Sequence, residues 1–117
     1  MGNISYEDFK KLDMRLGRIA SVEIIDGTDK LLKCMVDFGD VDEHGNPMTR
    51  QIVSGIREYH PDEQSLVGKQ VLYIVNLEPR TIRGIESNGM LMAVSDVNRK
   101  PVFLVAEHEV ANGATVR

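Results

Sequence analysis

Thr49-Arg50-Gln51-Ile52-Val53-Ser54-Gly55, then Tyr59-His60-Pro61-Asp62-Glu63-Gln64, then Val71-Leu72-Tyr73-Ile74-Val75 is the part of the chain that decides the fold. The first piece, rich in β-branched residues and closed by glycine, reads as a strand. The second is polar and reads as the entry to a short helix, with Pro61 in its first turn, where a missing amide costs nothing. The third is a dense apolar run that reads as a further strand. A short helix between two strands is therefore expected at the centre of the chain.

Working outward, Leu32, Cys34, Val36 and Phe38 alternate with Lys33, Met35 and Asp37, the pattern of a half-buried strand. From Met14 to Ile24 the pattern is again strand-like, with Ala20, Val22 and Ile24 set against Ser21 and Glu23, and with Gly17 marking a bulge or sharp bend. Asp26-Gly27-Thr28-Asp29 is a turn, and Gly39 to Pro47 is a polar, acidic, solvated loop. Ser5, with Asp8 three positions on, caps a short packing helix from Tyr6 to Leu12 that carries Phe9 and Leu12 on one face. Towards the other end, Met90 to Val94 supplies a fifth strand, Val102 to Ala106 another apolar run, and Ala111-Asn112-Gly113-Ala114 a last turn.

Three strands, a short helix and two strands, with extensions at both ends, is the order of a five-stranded OB-fold, a Greek-key barrel plugged by a helix between its third and fourth strands. The expected class is thus all-β with short helices. At 117 residues, 42% of them hydrophobic, the chain is expected to form a single domain, 1–117. No apolar run approaches the roughly 20 residues of a membrane-spanning helix. Met1-Gly2-Asn3-Ile4-Ser5 lacks the basic and apolar regions of a secretory signal. Cys34 has no partner for a disulfide and lies in a strand pattern, so a buried thiol and a cytoplasmic protein are expected.

Catalytic chemistry is hard to assemble from these residues. His44, His60 and His108 lie in separate segments without metal-ligand spacing, and no Cys-x-x-Cys, His-Glu-x-x-His or phosphate-cradling glycine loop occurs. Glu78 and Glu86 read as surface partners of Arg80 and Arg83, and Ser54 and Ser87 have no evident base. Neither a metal nor a cofactor is expected. The chain reads as a binding module.

The chemistry gathers instead in the stretch from Asn76 to Ala93, which lies between two apolar runs and is too long for a minimal hairpin. Arg80 and Arg83 offer forked guanidinium groups to phosphates or base edges. Asn76 closes a turn or bonds a nucleotide, Gly84 and Gly89 form turns, and Met90 belongs to the core or supports a base face at a barrel rim. Arg50 and Ser54 share one face of the third strand and bring a cation and a hydroxyl to that side. Such a mixture suits a single-stranded nucleic-acid loop, which presents phosphates, base edges and base faces. The net charge of −4 excludes a simple polycation, but the span from Lys69 to Lys100 holds five basic residues against three acidic ones.

Arg50-Gln51-Ile52-Val53-Ser54-Gly55, Asn76-Leu77-Glu78-Pro79 and Arg83-Gly84-Ile85-Glu86-Ser87-Asn88-Gly89-Met90-Leu91 together resemble the tRNA-binding domain family. That family includes free dimeric tRNA-binding proteins, the C-terminal domain or separate β chain of methionyl-tRNA synthetases, the domain of endothelial-monocyte-activating polypeptide, and CsaA-type secretion chaperones. Asp13 to Ile19 is similar to its opening strand and Asp29-Lys30-Leu31 to its next turn. The chain departs from the family at Ile25-Asp26, where His-Pro is frequent, and in a longer, more acidic Asp40 to Pro47 loop. The resemblance implies an OB-fold homodimer that holds tRNA by shape and backbone, without catalysis of its own, in association with a methionyl-tRNA synthetase. A CsaA-like peptide-binding chaperone is the alternative it implies. The matching positions for RNA are Lys30, Arg50, Ser54, Asn76, Arg80, Arg83, Ser87 and Met90.

Overall fold

The structure, a computed structural model, describes residues 2–117. The alternating run becomes β2 (Leu32–Val41), in which Leu32, Cys34, Val36 and Phe38 are all buried. It lies between β1 (Met14–Ile24) and β3 (Pro47–Ser54), antiparallel to both. The first half of β1 pairs on its other edge with β4 (Gln70–Ile74), and β4 pairs with β7 (Met90–Leu91). One curled five-stranded sheet results, in the order β3-β2-β1-β4-β7. The expected all-β class with short helices is observed. The core comprises Ile19, Val22, Leu32, Cys34, Val36, Phe38, Ile52, Ile56, Leu66, Val71, Tyr73 and Val75, with Leu91 and Phe103 packed against it. Burial pushes the Cys34 thiol up to about 11, which makes it an inert apolar filler.

Three local expectations are corrected. The register slips in β1 between Ile19 and Ser21, not at Gly17, so Ile19 and Val22 both point inward while Ala20 and Ile24 are exposed. An extra residue inverts the period of two, which no alternation pattern reveals. Gly17 has another purpose: a Cβ there would lie 2.5 Å from Phe38 Cε1 and 2.6 Å from Val36 Cγ1, so only glycine admits the crossing ring.

The connection between β3 and β4 holds two 3-10 turns, Arg57–Tyr59 and Glu63–Leu66, rather than one helix. Pro61 sits between them and excludes helical backbone at His60, whose φ of −136° and ψ of 72° end the first turn. Leu66 is fully buried and supplies the plug. The Gly39 to Pro47 segment is mostly a hairpin, because β2 runs to Val41 and β3 starts at Pro47. Asp42 organises its turn by accepting from the amides of His44 at 2.8 Å and Asn46 at 2.9 Å. Those bonds hold the Asp42 carboxyl below its usual range.

The ends of the chain embrace the sheet. Helix α1 (Tyr6–Lys10) is shorter than expected, but its cap is as read, with the Asp8 amide donating to Ser5 Oγ at 3.0 Å. Phe9 is half-buried and Leu12 exposed, so the helix packs loosely. The tail adds to the open edge of β1: Leu16 N donates to Ala114 O at 2.9 Å and Val116 N to Met14 O at 2.9 Å. Gln70 clamps it by bonding Val110 O, Val110 N and Asn112 Oδ1.

Candidate nucleic-acid interface

The stretch between β4 and β7 is itself a minimal hairpin on a short approach, contrary to the expectation of a long loop. β5 (Arg80–Ile82) pairs with β6 (Ile85–Ser87), and Arg83-Gly84 alone joins them. Their φ values of 53° and 78° are both positive, as the twist of a two-residue hairpin demands. Arg83 therefore projects from the tip in a conformation that suits Asn or Gly better.

Strand β6 and the residue after it pack against β3. Gln51 Nε2 donates to Glu86 O at 2.8 Å and Asn88 N to Gln51 O at 2.9 Å. Between them Val53 N donates to Ser87 Oγ at 2.9 Å, and Ser87 is buried. Gly89 follows with φ 140° and packs so tightly that a Cβ would meet Ile52 Cδ1 at 3.0 Å. Gly84 and Gly89 thus serve as turn formers, as read.

A groove of about 250 Å³ opens beside this seam. Ser54, Arg80, Ser87 and Met90 line it, together with Val53, Ile56, Leu77, Glu78, Leu91 and Ala93. Four of the eight predicted positions thus converge on one groove, from β3, β5, β6 and β7. Arg80 is exposed, and Met90, 45% exposed, stands at the rim with its thioether in reach of solvent.

The other four lie elsewhere. Arg83 extends from the hairpin tip. Arg50 is half-buried, with Nη1 donating to Val75 O at 2.6 Å and its guanidinium 5.3 Å from the centre of the Phe38 ring, in a neighbouring hollow beside Asp40, Gln51 and Asn88. Lys30 is exposed in the turn before β2, where its carbonyl accepts from Arg57 N at 3.1 Å. Arg57 also donates to Thr28 O at 2.5 Å, so it ties that turn to the end of β3. Sequence reasoning missed Arg57, since a lone arginine after a strand carries no signal. Asn76 accepts from Asp13 N at 2.9 Å and donates to Lys11 O at 2.6 Å, which commits both ends of its amide to the N-terminal segment.

Ion pairing divides the cations sharply. Lys10, Lys11, Arg15, Arg18 and Lys33 each pair with a carboxylate. Among the described residues Lys30, Arg50, Arg57, Lys69, Arg80, Arg83, Arg99, Lys100 and Arg117 pair with none, although the chain is acidic overall. The second half of the chain keeps its positive charges open to an anionic ligand.

Residues 14–115 match the family model described as "Putative tRNA binding domain". The chain belongs to the tRNA-binding domain family. It is 43% identical over 113 residues to a methionine–tRNA ligase of Methanococcoides burtonii, covering 97% of this chain but 16% of the ligase. This tRNA-binding domain therefore corresponds to a small fraction of the curated ligases it matches. A solved MetRS-related protein from Pyrococcus horikoshii superposes with a TM-score of 0.85 at 35% identity, over the full length of both chains. The chaperone CsaA of Bacillus anthracis superposes with a TM-score of 0.80 at 25% identity, covering 99% of this chain and all of that one. No helix among the described residues is long and apolar enough to cross a membrane.

Proposed function

We propose that this tRNA-binding domain is a non-catalytic OB-fold module that holds tRNA by shape and backbone rather than by sequence. The convergence of Arg80, Ser54 and Met90 on one groove, with Arg80 and Arg83 free of ion pairs, carries this reading. Arg80, Arg83 and Lys30 neutralise phosphates, and Met90 supports a base face at the rim. Arg50 supplies positive potential from beside Phe38, while Ser87 and Asn76 hold the backbone that presents the others. The domain acts in the cytoplasm and in trans with a methionyl-tRNA synthetase, a reading supported by its likeness to part of such ligases.

The domain works as a homodimer in this proposal. Ile4 and Tyr6, about 70% exposed, and Leu12 and Val116 leave apolar side-chain area exposed on the two terminal extensions. Covering it would bury residues that water otherwise wets. Sedimentation at micromolar concentration should give a dimer, and a strict monomer overturns that part of the reading.

Fluorescence anisotropy with total tRNA at two salt concentrations tests the binding. Log affinity should fall linearly with log salt, by roughly 0.7 to 0.9 per neutralised phosphate. Arg80→Ala and Arg83→Ala should each weaken binding and flatten the slope. Unchanged affinity in both sinks the site. A CsaA-like peptide-binding role is the second reading, favoured by the apolar lining from Val53, Ile56, Leu77 and Leu91. It predicts binding that changes little with salt.

A further inference from the structure

Only two non-glycine residues among those described have positive φ, and both are arginines at hairpin tips: Arg83 at 53° and Arg99 at 62°. The second hairpin pairs β8 (Ala93–Ser95) with β9 (Pro101–Phe103). Its turn is closed by Arg99 N donating to Asp96 O at 2.8 Å and Asp96 N donating to Lys100 O at 2.9 Å. The Asp96 carboxylate accepts from Val97 N at 2.7 Å, so the one acid of the turn is occupied by backbone. Asparagine or glycine would fit Arg99's backbone better, and a strained residue at a solvent-facing tip points to a use for its side chain.

The two hairpins are joined to one groove. Arg80 and Ser87 line it from the first, Ala93 from the base of the second, and Ile56 from the floor. Ile56 also opens the 3-10 turn that carries Tyr59, whose amide donates to the Ile56 carbonyl at 3.1 Å. The charge of Glu58 raises the Tyr59 phenol, and the positive charge of Arg99 opposes that shift. Next to Tyr59, the His60 ring stacks on Phe103 of β9 with centres 5.2 Å apart. Burial, and after it the charges of Lys100 and Lys69, hold that imidazole below its usual pKa.

We infer that the β8–β9 hairpin is a second RNA contact, in which Arg99 and Lys100 hold backbone phosphate beyond the groove and Tyr59 offers its face to an unstacked base. A single-stranded segment of the RNA would then run from the Arg80–Arg83 hairpin along the groove to the Arg99 tip. Aromatic faces interleaved with cations suit such a segment, because every base has a face and every linkage a charge. The inference rests on the tRNA-binding reading above.

The test compares wild type, the double variant R99N/K100Q, and Tyr59→Leu against Tyr59→Phe, in tRNA anisotropy titrations across salt. Asparagine keeps the left-handed backbone, so melting curves should show an intact fold. The double variant should lower the log–log salt slope by about 1.4 to 1.8, from 0.7 to 0.9 per cation lost. Tyr59→Leu should weaken binding about fivefold or more, and Tyr59→Phe should restore most of it. A wild type that binds no tRNA overturns both this inference and the reading beneath it. Wild-type binding weakened by Arg80→Ala but with an unchanged slope in the double variant overturns the second hairpin alone. Equal affinities for the two Tyr59 variants overturn the stacking role.

Discussion

The hydroxyl of Ser87 accepts a hydrogen bond from the amide of Val53, 34 positions away in the chain, at 2.9 Å. A side chain thereby replaces the sheet ladder where the end of β6 passes the edge of β3. Without it a buried amide would have no partner, and an unsatisfied buried donor costs about 1–3 kcal/mol. Ser87→Ala should therefore lower stability by that amount in urea titrations. Under conditions where the variant remains folded, its tRNA affinity should stay within about twofold, a range worth well under 1 kcal/mol. A large affinity loss in a fully folded variant would return Ser87 to direct contact.

Arg83 should show two effects of opposite sign. Arg83→Asn suits the positive φ of the hairpin tip and should stabilise the protein by roughly 1 kcal/mol. The same change removes an unpaired cation and should weaken tRNA binding at low salt, with the difference shrinking as salt rises. Thermal melts and anisotropy on one preparation would reveal both.

Gly17 should tolerate no side chain. A methyl group would fall 2.5 Å from the Phe38 ring, which packs edge-on to Tyr73 at 5.3 Å and beneath the Arg50 guanidinium. With both sides of the ring occupied, Gly17→Ala should cost about 1–3 kcal/mol through overpacking. For a domain of this size each kcal/mol lowers Tm by roughly 4 °C.

His60 should make stability depend on pH. Its Nε2 is buried with no hydrogen-bond partner, and burial, Lys100 and Lys69 all depress its pKa in the folded state. The unfolded chain then binds the proton more readily. Stability is complete above the unfolded value of about 6.5 and falls as pH drops below it towards the folded pKa. Urea midpoints at pH 7.5 and pH 5.5 should differ in wild type and converge in His60→Phe, which keeps the stack on Phe103. The depressed Asp42 carboxyl acts only at far lower pH, since its stabilisation is lost as pH falls below about 3.9.

Much of the architecture was legible because it is written in local patterns. The alternation from Leu32 to Phe38 needs only the two-residue pleat and one apolar face, and each expected residue is buried. Ser5 and Asp8 announced a cap across three residues, within reach of a single turn. The bulge after Ile19 was hidden, because an inserted residue leaves composition unchanged while reversing every side chain beyond it. The central helix resolved into two 3-10 turns because Pro61 constrains the residue before it as well as its own position.

For the interface the division is different. The sequence by itself determined the order of strands, the acidic sum against a basic excess from Lys69 to Lys100, and the set of polar residues around Asn76 to Ala93. Only the tertiary structure decided which of them are free. Asn76, though exposed, is taken up by the amide of Asp13, and Ser87 turns inward to the amide of Val53, each brought from a distant segment. Arg80 and Arg83 stay open because no carboxylate is brought within pairing distance. The physical reason is common to both: a backbone amide seeks a partner, most urgently when buried as at Val53, and which side chain becomes that partner depends on chain segments that meet only once the sheet has curled.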